Sequence, residues 1–240
     1  MTHGEDDLLE RVDFDAMPAN IYCRVHPARL QDGTPVDPLS PNPRSAARMA
    51  IQPALTAGAP ALGMFYVATT SAGALFEALL RNASIYPGRQ VYLPRSKLKG
   101  QRLALVELSR PLEIIPLGLP DRRIVVPDAN SWREARWREL INTVDHRDTH
   151  AAALAVYEQV RNAGFQHQGL SWPSIQAPHA LVYLLYDPPF QRADWSLIKT
   201  IELDTAAGEI FIADALAKAG YAWLADPAGG GFDPADPAAI

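Results

Sequence analysis

Four short stretches of this chain carry side chains able to do chemistry. They are IYCRV with Arg24, NPRSAARMAIQP with Arg44 and Arg48, FYVATTSAGALFEALLR with Tyr66 and Glu77, and GLSWPSIQ with Gly169, Ser174 and Gln176. The planar fork of an arginine matches phosphate oxygens better than the point charge of a lysine. A carboxylate fixed on a rigid element can stabilise positive charge developing on a reacting carbon. Tyrosine and serine hydroxyls add hydrogen bonds, and a tyrosine ring adds a stacking face. Each residue also has an ordinary structural reading. Glu77 precedes Arg81 by four residues, the spacing of a surface ion pair on a helix. Arg24 suits an exposed strand, Tyr66 a core position and Ser174 the turn after Pro173.

Several familiar chemistries leave no trace. There is no GxGxxG after a strand, no GxxxxGK[ST], no GxSxG elbow and no HExxH pair. His146 and His150 stand four residues apart beside Asp145 and Asp148, the residue types of a metal site, but the segment reads as a solvated polar turn and no metal is expected. Cys23 is the only cysteine, which excludes an internal disulfide and a cysteine-based zinc site. A net charge of -5 argues against binding a phosphate backbone, and the arginines between Arg122 and Arg147 alternate with Glu134 and Glu139 as a solvated helix face would. No direct nucleic-acid partner is expected.

Taken together and in order, the four stretches resemble the RES-domain family, named for its Arg, Glu and Ser. The family's early arginine, following an aromatic residue, maps onto Arg24, and its second arginine onto Arg48, with Arg44 as the alternative. The tyrosine-bearing strand that runs into an alanine-rich helix with a glutamate assigns Tyr66 and Glu77. The Gly, aromatic, Pro, Ser signature assigns Ser174 and Gly169, with Gln176 standing where many relatives have an arginine. The resemblance covers residues 20 to about 190.

It implies an enzyme that cleaves the bond between nicotinamide and ribose in NAD, with phosphate or water as acceptor. NAD is then a substrate, inorganic phosphate a possible co-substrate, and no cofactor is needed. In that reading Glu77 stabilises the oxocarbenium-like transition state, Arg24 and Arg48 clamp the diphosphate, Tyr66 stacks on nicotinamide or bonds a ribose, and the Ser174 hydroxyl reaches a ribose hydroxyl or phosphate. The resemblance also implies a fold like that of ADP-ribosyltransferase toxins, the role of toxin in a bacterial toxin–antitoxin pair, and a helix-turn-helix (Xre-type) antitoxin as partner. Transfer of ADP-ribose to a protein uses the same cleavage, and a non-catalytic nucleotide- or partner-binding module would use the same cleft.

The elements that must position these residues are legible in outline. IYCRV alternates as a strand that sends Tyr22 and Arg24 to one face. Prolines at 27, 35, 38, 41, 43, 53 and 60 exclude long helices and central strands between 27 and 60, so this reads as a long loop that either covers a site or wraps the surface irregularly. GMFYVAT reads as a buried strand leading through Thr70 and Ser71, good N-caps, into a helix that extends to about Asn82. Runs at 102–108, 112–117 and 122–127 read as adjacent strands, 131–142 and 149–163 as helices, 179–187 and 197–203 as strands, and 209–219 as a last helix.

Strands in runs and helices in groups indicate an α+β class, one compact domain with a mixed sheet and flanking helices. With 48% hydrophobic and 20% charged residues in a chain of 240, there is apolar material for one sizeable core. The expected boundaries are a loosely ordered acidic segment at 1–18, one domain over 19–223 and a flexible tail at 224–240. No apolar run approaches the roughly 20 residues needed to cross a bilayer, and the acidic start has no leader pattern, so a cytoplasmic location without membrane contact is expected.

Overall fold

The computed structural model describes residues 11–12, 14–30, 32–81, 83–117, 124–125, 139, 143, 146–162, 164, 168–177 and 179–225. In chain order the strands are β1 (Arg11–Val12), β2 (Asp15–Met17), β3 (Ile21–Pro27), β4 (Gly63–Ala68), β5 (Ile85–Tyr86), β6 (Gln90–Tyr92), β7 (Gln101–Leu108), β8 (Leu112–Pro116), β9 (Ile124–Val125), β10 (Gly169–Pro173), β11 (Leu181–Asp187), β12 (Trp195–Glu202) and β13 (Ala222–Leu224). The α-helices are α1 (Ser71–Ala78), α2 (His146–Asn162) and α3 (Ala206–Lys218). Among the described residues an eight-stranded mixed sheet in the order β12-β7-β3-β4-β11-β10-β8-β2 forms the body. Its β10–β8 pair is parallel and the others antiparallel, which makes the class α+β as expected. No helix among the described residues is long and apolar enough to cross a membrane.

The alternation of IYCRVHP does what strand sterics require. Tyr22 points into a core with Phe65, Val67, Tyr183, Leu185 and Trp195, and its hydroxyl donates to the Pro18 carbonyl at 2.7 Å. On the other face, Cys23 joins Met64, Ala68, Val182 and Leu184. Helix α1 packs on that face through Gly73, where a Cβ would come within 2.6 Å of the Ala180 Cβ, so only glycine allows so close an approach. Thr70 caps α1 by accepting from the Gly73 amide at 3.0 Å.

Several expectations need correction. The strands at 101–108 and 112–116 are not neighbours: β7 lies between β3 and β12, while β8 lies between β10 and β2, on the far side of the sheet. Short Pro and Gly punctuation between two runs signals a chain reversal but cannot say which edges the runs will meet. Asp15–Met17, placed in the loosely ordered start, is a paired strand whose Met17 is fully buried. Helix α1 stops at Ala78 rather than near Asn82, where the amides of Leu79 and Leu80 both turn to the Leu75 carbonyl. Leu224, the first residue of the expected tail, pairs with Tyr92 in β13. Residues 1–10 and 226–240 and, except Glu139, the expected helix at 131–142 lie outside the described residues.

Candidate active site

Strands β3 and β4 are neighbours in the sheet but meet at a single register position, Cys23 opposite Ala68. Beyond it they part, because β3 continues along β7 from Ile21 to Pro27 while β4 continues along β11 from Ala68 to Gly63. The edge of β4 that β3 abandons is taken by the proline-rich loop, whose Asn42 exchanges backbone hydrogen bonds with Met64 at 2.8 and 3.0 Å. A cavity of about 390 Å³ occupies the gap, a volume typical of small-molecule sites. Arg24 and His26 of β3, Tyr66 of β4, Glu77 of α1, Arg81 just after it and Asp37 of the loop all line it. The long proline-rich loop is a wall of this cavity.

Arg24 is 5% exposed. Its guanidinium stacks 4.2 Å from the Phe65 ring centroid, and Nη1 donates to the Pro38 carbonyl at 3.1 Å, which fastens the loop to β3. Burial pushes it down to about 9, opposed by the charge of Asp37, and it stays cationic at neutral pH. Asp37 is itself tied to Arg192 at 3.0 Å and receives the Leu39 amide at 2.9 Å.

Glu77 sits on the last turn of α1, paired with Arg81 at 3.3 Å, with side chains 17% and 24% exposed respectively. The surface-pair reading is therefore correct as geometry, yet the pair faces the cavity. The Tyr66 hydroxyl donates to the Arg48 carbonyl at 2.8 Å, and Tyr66 forms part of the cavity wall.

Arg48 and Ser174 are not brought to the cavity surface. Arg48 is buried behind Tyr66. Burial pushes it down to about 10, with the Glu77 charge opposing that shift and Arg81 adding to it, so the three ionic groups feel one another. Arg44 is exposed, which leaves Arg48 as the buried member of the two candidates. Ser174 is 1% exposed, directly after β10; its amide donates to the Ala180 carbonyl at 2.9 Å and its Oγ accepts from the Ala177 amide at 3.4 Å. That turn carries Gln176, whose Nε2 donates to the Arg81 carbonyl at 3.4 Å. Gly169 has a packing role, since a Cβ there would come within 1.8 Å of the Leu184 carbonyl oxygen.

The segment 47–49 is held more tightly than any sequence pattern announces. Met49 adopts a left-handed backbone with φ of 60°, uncommon for a side chain of its size. Tyr66 holds the Arg48 carbonyl, Tyr186 donates to the Met49 carbonyl at 3.0 Å, the Thr149 Oγ accepts from the Met49 amide at 3.3 Å and His150 Nε2 meets the Ala47 carbonyl at 3.0 Å. His150, considered above for a metal, is committed to this backbone instead. Among the described residues, no group of three or more His, Cys, Asp or Glu is arranged to hold a metal ion. Sequence reasoning missed His26, Asp37, Thr149 and Tyr186, and took Arg81 only as the partner of a surface ion pair. Only the shared strand face of Arg24 and His26, and the spacing of Glu77 and Arg81, could have pointed to any of them.

Residues 22–204 match the family described as RES domain, a span that contains every residue just named. Among solved structures, the M. tuberculosis MbcT-MbcA toxin-antitoxin complex contains a similar chain, with a TM-score of 0.50 and 15% sequence identity over 80% of this chain and 88% of that one. At that identity the likeness concerns the fold. No curated protein matches the sequence.

Proposed function

Because the chain belongs to the RES-domain family, we propose that it degrades NAD by cleaving the bond between nicotinamide and ribose, with phosphate or water as acceptor. The observation that carries the reading is that Glu77 and Arg24, a helix-borne carboxylate and a buried guanidinium on facing elements, line one cavity between parted strands. When the glycosidic bond breaks, its electron pair leaves with nicotinamide and positive charge spreads over the ribose. The Glu77 carboxylate stabilises that charge, and Arg81 at 3.3 Å orients it. Water, losing a proton, or phosphate then attacks the ribose carbon.

Arg24 binds the diphosphate, and the Tyr66 ring offers a stacking wall. Arg48 acts from behind that wall, as a fixed cation that helps orient Glu77 rather than as a phosphate clamp. Ser174 is a positioning residue, its turn setting Gln176 against the Arg81 carbonyl. We extend the reading to a toxin of a toxin–antitoxin pair, with a helix-turn-helix antitoxin as partner. The support is the family and the likeness in fold to a protein solved within such a complex.

The deciding experiment follows nicotinamide release from NAD with and without inorganic phosphate. Release that accelerates with phosphate identifies phosphorolysis, and release indifferent to it identifies hydrolysis. Label from NAD that stays on a protein band would instead identify ADP-ribosyl transfer. No release under any of these conditions would end the enzymatic reading.

A further inference from the structure

His26 lies in the same cavity and has no role in the chemistry above. It is 3% exposed and stands two residues after Arg24 on β3, so both side chains leave the same face of the strand, roughly 7 Å apart along it. Its Nδ1 lies 2.9 Å from the Pro27 carbonyl oxygen. A carbonyl only accepts, so Nδ1 carries the proton and, in the neutral ring, Nε2 presents a bare lone pair. Nε2 is buried and meets no hydrogen-bonding partner among the described residues. A buried acceptor left unpaired is costly, and because His26 lines the cavity, a ligand bound there can supply the missing donor.

The surroundings keep the ring neutral and restrict that donor. Burial, with Arg24 beside it and Arg102 opposite on β7, pushes the imidazole down; the bond to the Pro27 carbonyl, and less so Glu202, itself paired with Arg102 at 2.7 Å, oppose this only in part. The diphosphate of NAD is fully ionised at neutral pH, has no proton to offer an acceptor and is matched by Arg24. A hydroxyl one sugar's breadth from that phosphate has one.

We propose that His26 is a substrate-recognition residue whose Nε2 accepts a hydrogen bond from a ribose hydroxyl of the dinucleotide, next to the phosphate held by Arg24. The assignment rests on reading the cavity as an NAD site, and its test separates the two. In protein labelled with ¹⁵N-histidine, the Nε2 resonance of His26, identified by its loss in His26→Gln, is followed as NAD is added in excess, with nicotinamide release read from proton signals in the same sample. Movement of that resonance from the bare towards the hydrogen-bonded position supports the assignment. A resonance unmoved by saturating NAD overturns it, whether or not nicotinamide appears. Absence of release with a moving resonance overturns cleavage alone.

In kinetics, His26→Phe keeps the ring's bulk and removes the acceptor, and should raise KM about tenfold with kcat little changed. His26→Gln, which retains an acceptor, should stay near the parent. Wild-type KM in His26→Phe would show that His26 only packs.

Discussion

Glu77 and Arg24 are bound differently, and their substitutions should fail differently. Glu77 is held by one partly exposed pair, of the kind that contributes little to stability. Glu77→Gln is therefore expected to unfold at nearly the parental temperature while kcat for nicotinamide release falls by about 100-fold or more. Parental turnover in this variant would remove Glu77 from the chemical step. Arg24 is stacked, buried and bonded to the loop, so the fork itself matters. Arg24→Lys keeps the charge but loses the planar stack and the bidentate grip. It should raise KM about tenfold and change kcat less, because phosphate binding is largely uniform between ground and transition states. A fall in kcat at constant KM would place Arg24 in the reaction itself. At this scale the sequence was informative about residue types and poor about partners. Glu77 with Arg81 followed from helical spacing, but the bond from the Tyr66 hydroxyl to the Arg48 carbonyl crosses between a strand and an irregular loop and has no periodic signature.

The loop segment 47–49 is the element on which the placement of Arg48 depends, and it has little regular structure of its own. Its geometry is enforced from β4, β11 and α2 by Tyr66, Tyr186, Thr149 and His150. Removing either tyrosine hydroxyl takes a hydrogen-bond donor from a loop carbonyl, so Tyr66→Phe and Tyr186→Phe should each cost about 1–3 kcal/mol in urea unfolding. The two anchors hold adjacent peptide groups, so the double variant should depart from the sum of the singles. Strict additivity would mean that residues 48 and 49 are held independently. Strand–helix order around Thr70 was readable because caps and hydrophobic spacing are local. That β3 and β4 meet at one position and then part was not, since strand partners are chosen by surfaces far away in sequence.

For the molecule as a whole, the burial of His26 links stability to pH. Its folded-state value is pushed down, so the unfolded chain takes up a proton first as pH falls. The stability it contributes is fully present above the unfolded value of about 6.5 and is lost as pH drops through that value towards the lower folded one. The unfolding temperature should therefore decline from pH 7.5 to pH 5 more steeply in the parent than in His26→Phe. Equal slopes would show that His26 stays as accessible to protons in the fold as in the unfolded chain. The sequence by itself determined the α+β class, the strand–cap–helix unit bearing Tyr66 and Glu77, the irregular backbone of the proline-rich loop and the resemblance that named the family. These depend on side-chain periodicity and backbone restrictions acting over a few residues. Tertiary structure alone decided that Arg24, His26, Tyr66 and Glu77 share one cavity while Arg48 stands behind it and Ser174 serves a turn. Where two strands separate is set by distant partners, β7 and β11 on their outer edges and the loop on the β4 edge that β3 leaves, and no local pattern encodes that arrangement.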